Sequence, residues 1–443
     1  MLKSFLLFVA APLLAEDALS LREAVRLALK ENRAVAAANA GVSASEARVE
    51  EARAGKLPKL NYSESYTRSN NPVFVFGSLL TQHQFGPENF DIGTLNRPGS
   101  LNNFQSLVTV DQSLYDAGQA KNTLKSAGLS HQMTQEEQRR TRMQVISGVV
   151  RAYYRVVLGA ESLKAAEQAL RSAEADLKRA ESVRAAGMST DVDVLSIRVH
   201  LASVTEQRIQ RAAELDVAKS ALNDALGLPL DTGHILATPL APLDLPDLAL
   251  ASFEQDASAA RPEARQTRIA ADLAKVQSEA VRSALLPQVT FHGAFEADRQ
   301  QFINKGGANW LASLGLHWNL FNGGADKARI EESTHWMERA HADEQRVDSA
   351  VRLEVRRAWA DLRAAQQRIE VAKAAMAEAE ESLRITQNRY EAGMSNVTDL
   401  LRNETAVLES RTRYLAAVHD QRLAATMLEL AAGRLSPDSE VLN

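Results

Sequence analysis

Ala312-Ser313-Leu314-Gly315-Leu316-His317-Trp318-Asn319-Leu320 places apolar side chains at every second position against small or polar ones, and the fold turns on how that stretch is read. Period two is the spacing of a strand with one apolar and one polar face. Three other segments repeat it. Leu60, Tyr62 and Tyr66 stand against Asn61, Ser63, Ser65 and Thr67; Val108, Val110 and Leu114 against Thr109, Asp111 and Ser113; Val289, Phe291 and Phe295 against Thr290, His292 and Glu296. The predicted strands cover about 58–67, 106–115, 287–296 and 311–321. Each is about ten residues long, the length of a tilted membrane-crossing strand. A soluble β-sandwich alternates in the same way, so a single segment leaves both readings open.

Working outward from the strands, the chain is written twice. Leu57-Pro58 and Leu286-Pro287 correspond at an offset of 229 residues, each closing an Ala-rich helical stretch and opening a strand. Ser113-Leu114-Tyr115-Asp116-Ala117-Gly118 matches Asn319-Leu320-Phe321-Asn322-Gly323-Gly324 at an offset of 206, as do Ala186-Gly187-Met188-Ser189 with Ala392-Gly393-Met394-Ser395, and Gly227 with Gly433. The offset falls by 23 residues between Pro58 and Ser113, so the first strand-to-strand loop, about 68–105, carries an insertion that its counterpart, about 297–310, lacks. That loop is polar and rich in Asn, Gly and Pro. The repeats are predicted at 16–227 and 251–433, separated by a linker at 228–250 holding Pro229, Pro239, Pro242 and Pro246, and followed by a tail at 434–443.

Helices fill the rest. Each repeat opens with a capping-box spacing, Ser20 with Glu23 and Ser252 with Gln255, and a helix of roughly 36 residues ending near the Leu-Pro pair. Long proline-free runs follow the strands at about 119–184 and 325–390, and return helices are expected at about 190–226 and 396–432. The long runs amount to on the order of 100 Å of helix each. They carry a heptad: Leu362, Ile369, Met376, Leu383 and Tyr390 on one seam position and Ala365, Ala372, Ala379 and Thr386 on the other, mirrored by Val156, Leu163, Leu170, Leu177 and Arg184 beside Gly159, Ala166, Ala173 and Ala180. An opening helix and a return helix stacked end to end match one long helix in length.

Composition narrows the function. Among 443 residues, 51 Lys and Arg against 56 Asp and Glu give a net charge of −5 without a basic block, which argues against nucleic acid as a partner. With 0 cysteines, disulfides, thiol catalysis and Cys-based zinc sites are excluded. No phosphate-binding loop, dinucleotide fingerprint or HExxH motif is present, and His335 and His341 have no helical metal spacing, so neither an enzyme nor a cofactor is expected. Met1 to Ala15 reads as an export signal with Lys3 before an apolar run from Phe5 to Leu14. No other segment is apolar enough for a membrane helix, so residence in a membrane would come through β-strands. Four strands do not close a barrel, because transmembrane barrels start at eight and leave no free edge in lipid. Two copies would give eight strands and three would give twelve, and only the larger ring leaves an open lumen.

The export signal, the duplicated module, Leu-Pro leading into a strand, the Leu-Tyr/Phe-Asp/Asn-x-Gly motif leading out of one, and Arg389-Tyr390-Glu391-Ala392-Gly393-Met394-Ser395 followed by Asp399-Leu400-Leu401 together resemble the TolC family of outer-membrane efflux proteins. The likeness spans essentially the whole mature chain. It implies a mainly α chain with a small β part: a homotrimer whose four strands per chain form a 12-strand barrel in outer-membrane lipid, continuing into an α-helical barrel through the periplasm. A periplasmic adaptor protein and an inner-membrane pump or secretion ATPase are the implied partners, and the duct itself is passive. A periplasmic adaptor with long hairpins is the rival reading; it would lack the strands.

The resemblance also places the turns at Gly187 to Asp193 and Gly393 to Asp399 at a periplasmic tip that opens and closes. Asp399 matches a position that lines the constriction in the family, and Tyr390 one implicated in contacts of the closed tip. Arg402 stands where relatives carry a second acid, a departure from a double acidic ring. The residues alone allow another role: Thr190 with Asp193, and Asn396 with Asp399, are spaced as N-cap and N3, so each carboxylate caps a returning helix. The two roles are compatible. Asp111, His292, Glu296 and His317, on the polar sides of their strands, are the candidates for the barrel lumen, and they do not identify a cargo.

Overall fold

A computed structural model describes residues 18–187, 189–244, 249–304 and 306–443. The expected signal at 1–15, together with Met188 and Pro246, lies outside the described residues. In chain order the elements are α1 (Leu21–Glu31), α2 (Arg33–Ala54), β1 (Lys59–Ser69), α3 (Pro72–Thr81), α4 (Ile92–Asn96), β2 (Leu101–Tyr115), α5 (Gln119–Ala185), α6 (Asp191–Leu226), α7 (Leu250–Ala260), α8 (Pro262–Ser283), β3 (Gln288–Arg299), β4 (Gly307–His317), α9 (Ala325–Glu391) and α10 (Val397–Ala431). They gather into two compact units. One is helical and comprises the segment up to Gly41, Gln135–Thr267 and Glu344–Asn443; the other, Val42–Thr134 with Arg268–Asp343, holds the strands.

In the helical unit, Leu21, Ala24, Val25 and Ala28 recur at helical spacing and bury one stripe of α1 against Ile146, Val149, Val150 and Tyr153 of α5. Leu222 and Leu226 of α6, Val355 and Leu362 of α9, and Leu428 and Ala431 of α10 complete the same core. Val441 and Leu442 of the tail are buried in it too. Along the seams, Ala166, Ala173 and Ala180 of α5 are almost wholly buried, as are Ala365 and Ile369 of α9. Small residues there let helices approach closely.

The opening helix of each repeat is two helices rather than one of roughly 36 residues. Pro262 lacks an amide hydrogen and holds Arg261 extended at φ −67° and ψ 131°, ending α7. In the first repeat Asn32 takes nearly the same conformation, φ −68° and ψ 129°; its Oδ1 accepts from the Ala34 amide at 2.8 Å and its Nδ2 donates to the Ala225 carbonyl at 2.9 Å. Ser20 and Glu23 form a reciprocal capping box on α1. Ser252 and Gln255 do not. Since α7 begins at Leu250, Ser252 already lies in the first turn, where its hydroxyl donates back to the Ala249 carbonyl at 3.1 Å.

The strands form one antiparallel sheet in the order β1-β2-β3-β4. Tyr62 pairs with Val108, Val108 with Phe295, and Phe295 with Trp310, so apolar side chains align across all four strands. Strand 2 starts at Leu101 rather than about 106, because β1 runs to Ser69 and pairs it with Leu101. Strand 4 covers Gly307–His317 rather than about 311–321. Its ladder stops where Gln288 meets His317, since Pro287 offers no amide hydrogen to extend it, and Trp318 beyond the strand donates its indole N–H to the Leu285 carbonyl at 3.0 Å. The inserted loop is also less irregular than its composition suggests. Asn71 caps α3, accepting from the Val73 and Phe74 amides at 3.0 and 3.2 Å, and Pro72 occupies the first helical position.

Candidate functional site

Both helical hairpins turn by the same device. After α5, Gly187 takes φ 78° and its amide donates to the Arg184 carbonyl at 2.8 Å; after α9, Gly393 takes φ 71° and donates to Tyr390 at 3.0 Å. A β-carbon on either glycine would meet open space, so the left-handed conformation alone calls for glycine.

The acids that follow are not equivalent. The Asp193 amide donates to Thr190 Oγ1 at 3.3 Å, while its carboxylate Oδ2 accepts from the Thr190 amide at 3.1 Å, the Thr190 hydroxyl at 2.9 Å and Ser189 Oγ at 3.0 Å. Those bonds, led by the Thr190 amide, hold the Asp193 carboxyl below the usual range. In the second hairpin Asn396 Oδ1 accepts from the Asp399 amide at 2.8 Å, but the Asp399 carboxylate receives only a long 3.5 Å contact from Ser395 Oγ among the described residues. Asp193 thus commits its Oδ2 to the cap, whereas the Asp399 carboxylate remains available to its surroundings. Arg402 is exposed on α10.

Tyr390 is half-buried and packs against a small core made by Ala180, Val194, Ile197 and Val397, one or more from each of α5, α6 and α10. Burial, followed by the nearby Asp193 and Asp176 carboxylates, pushes its phenol upward. Ion pairs tie the same region: Arg184 to Asp191 at 2.5 Å and Arg179 to Glu391 at 2.7 Å. Sequence reasoning missed Asp176, His200 and Glu404, which converge close by. A signal existed for one of them, because Asp176 falls between the buried seam alanines Ala173 and Ala180.

In the strand unit, strand alternation and register put Asp111, His292, Glu296 and His317 on one face of the sheet, the polar one. His292 Nδ1 lies 2.7 Å from Asp111 Oδ1, and Gln105 Nε2 donates to Glu296 Oε1 at 2.8 Å. His317 stands apart at the strand end, opposite Gln288. No sequence pattern marks the buried network at the other end of this face, where Gln82 donates to Asn103 Oδ1 at 2.9 Å and Asn103 to Asp298 at 2.6 Å. The opposite face exposes Leu60, Tyr62, Tyr66, Phe295, Trp310, Leu314 and Leu316. No helix among the described residues is long and apolar enough to cross a membrane.

The model of the outer membrane efflux protein family matches residues 24–228 and 254–434, one match for each repeat. The chain belongs to that family. Among its relatives, CyaE of Bordetella pertussis is 29% identical over 427 residues, covering 95% of this chain and 85% of the relative. The alkaline protease secretion protein AprF of Pseudomonas aeruginosa is 24% identical over 400 residues, covering 86% and 78%. The fold is that of the Campylobacter jejuni CmeC outer membrane channel, with a TM-score of 0.79 at 16% identity over 95% of this chain and 87% of that one. This chain is therefore an outer-membrane efflux protein and, like its family, not an enzyme.

Proposed function

We propose that three copies of the chain close a 12-strand barrel in outer-membrane lipid and that their helical hairpins form a tunnel through the periplasm. The duct is passive; a periplasmic adaptor protein and an inner-membrane pump or secretion ATPase supply the coupling. The observation that carries this reading is the open sheet: β1 and β4 are unpaired edges on a sheet whose exposed face is apolar and aromatic, a combination that lipid tolerates only when neighbours pair the edges. On this reading Gly187, Asp193, Tyr390, Gly393, Asp399 and Arg402 form the periplasmic tip. Tyr390 packs the closed state, the unengaged Asp399 carboxylate lines the constriction, and Asp111, His292, Glu296 and His317 face the barrel lumen.

Likeness to AprF over most of the chain supports a polypeptide cargo carried with a secretion ATPase; likeness to the outer membrane protein OprJ of Pseudomonas aeruginosa, 24% identical over 420 residues, shows that the match is not confined to relatives named for secretion. The test is direct. Protein extracted from outer membranes should be trimeric in detergent and form channels in planar bilayers. A monomer that is freely soluble without detergent overturns the proposal.

A further inference from the structure

Three ionisable side chains from three helices meet inside the helical unit, about two to three turns from the hairpin ends. Asp176 of α5 is 5% exposed, and its Oδ2 has no hydrogen-bond partner among the described residues. Glu404 of α10 keeps 8% of its side chain exposed, and neither of its carboxylate oxygens is hydrogen-bonded to any described residue. His200 of α6 brings Nε2 to 3.2 Å from Glu404 Oε2, an ion-pair approach that lies off the hydrogen-bonding line. His200 and Glu404 both open onto a cavity of ≈ 300 Å³, together with Gln168, Ser172 and Arg411.

Positive charge from the packed helices compensates the pair of acids only in part: Arg179 favours the Asp176 carboxylate, but burial and the Glu404 carboxylate outweigh it. Arg179 of α5 is tied to Glu391 of α9 at 2.7 Å, and Arg411 of α10 to Glu380 of α9 at 2.6 Å. Tyr390 of α9 and Asp193 of α6 bring no positive charge. Two carboxylates this close and this dry do not both ionise, so one of them needs a proton. Among the described residues no cluster of His, Asp and Glu has the arrangement of a metal site, so a proton is the ligand that fits.

We infer that Asp176 and Glu404 hold one proton between them and, with His200, act as a proton-operated latch joining the α5–α6 hairpin to the α9–α10 hairpin. Burial, and next the Glu404 carboxylate, push Asp176 up to about 7. Burial works against Glu404 as well, but His200 and Asp176 outweigh it and hold that carboxyl below its usual range. Asp176 is the group raised above its unfolded value, so its contribution is complete below the ordinary Asp range and is lost as pH rises through about 7. Above that point the proton leaves to water through the cavity, and two buried carboxylates repel across the hairpin junction. Acidification closes the latch and alkalinity loosens it.

The consequence for conductance rests on the gated-duct reading; the proton site itself does not. Trimer in detergent should melt at lower temperature at about pH 8 than at about pH 6, and its open probability in planar bilayers should rise over the same interval, by up to about tenfold per pH unit for each site. Asp176→Asn, a neutral isostere, should flatten both responses at the low-pH level. Infrared spectra of protein labelled at Asp carboxyls should show a protonated band at about pH 6 that disappears by about pH 8 and is missing from Asp176→Asn. Absence of that band from the unsubstituted protein, or an unchanged melting shift in Asp176→Asn, overturns the latch. Melting and infrared responses as expected, with conductance indifferent to pH, uphold the latch and overturn its link to the gate.

Discussion

Gly433 stands against the backbone of Arg261: a β-carbon at residue 433 would lie 2.9 Å from the Arg261 amide nitrogen and 3.0 Å from its Cα. The first repeat has the same joint. There a β-carbon at Gly227 would lie 2.6 Å from the Glu31 carbonyl oxygen and 2.9 Å from Asn32 Cα. Each return helix ends on a left-handed glycine, φ 83° at Gly227 and φ 72° at Gly433, pressed into the break of its own repeat's opening helix. The breaks at Asn32 and Arg261 are therefore sockets for those ends, and duplication has preserved the joint with different chemistry: an asparagine side chain in one repeat, a proline in the other.

Gly227→Ala is expected to destabilise the helical unit by about 2–4 kcal/mol, combining left-handed strain with a clash against backbone that cannot rotate away. Gly433→Ala should cost somewhat less, its contacts being longer. Gly187→Ala and Gly393→Ala, which meet open space, should lose only the conformational term of about 1 kcal/mol. Thermal melting of the purified protein, followed by circular dichroism at the helix band, ranks the four. Equal losses at Gly227 and Gly187 would remove the socket from the explanation.

Periodicity made the helices, the strand faces and the duplication legible, because each repeats a spacing over many residues. It could not place the strand ends. Those depend on partners: Leu101 joins β2 because Ser69 reaches it, and β4 stops at His317 because Pro287 lies beyond its partner strand. Helix α3 escaped notice because Val73, Phe74, Val75 and Phe76 favour strand locally, while the Asn71-Pro72 start that overrides them is short. At the tip, spacing showed both acids as caps but not that only Asp193 receives three hydrogen bonds; that difference follows from Thr190 and Asn396 as cap residues, since Asp193 binds the Thr190 amide and hydroxyl. The Asp176, His200 and Glu404 cluster joins residues from three helices, and no local pattern brings them together.

Acid should weaken the first hairpin's turn. Asp193 is depressed below its unfolded value by its bonds to Thr190 and Ser189, so its stabilisation is complete above the ordinary Asp range and is lost as pH falls through the lowered value. Thr190→Ala removes the hydroxyl half of the box and should cost about 1 kcal/mol near neutral pH. Hydrogen exchange of the α6 N-terminal amides, measured at about pH 7 and again at about pH 2, below the ordinary Asp range, checks this. Exchange in Thr190→Ala identical to that of the unsubstituted protein would show that the box adds nothing.

Removing the Asp399 carboxylate is expected to change conductance more than stability. Its only hydrogen bond among the described residues is the 3.5 Å contact with Ser395, and the Asn396 cap uses the Asp399 amide, which survives substitution. Asp399→Ala should therefore melt within about 0.5 kcal/mol of the unsubstituted protein while its planar-bilayer conductance rises. Unchanged conductance would leave the residue outside the constriction.

Tyr153 links the inter-repeat segment to the start of the chain's described part. Its hydroxyl donates to the Leu19 carbonyl at 2.9 Å and accepts from the Thr238 amide at 2.9 Å, beside the parallel bridge in which the Leu19 amide donates to Ile235 at 2.7 Å. The tyrosine is fully buried, so Tyr153→Phe strands a carbonyl and an amide together and should cost about 1–3 kcal/mol. Neighbouring Tyr154 is equally buried, yet its hydroxyl has no hydrogen-bond partner among the described residues, and Tyr154→Phe should be close to neutral. Limited proteolysis within 228–244 separates the cases: cleavage should quicken in Tyr153→Phe and stay at the unsubstituted rate in Tyr154→Phe. The same rate in all three proteins would mean that other contacts, such as Gln421 on the Leu243 backbone at 2.8 and 2.9 Å, hold the segment without the tyrosine.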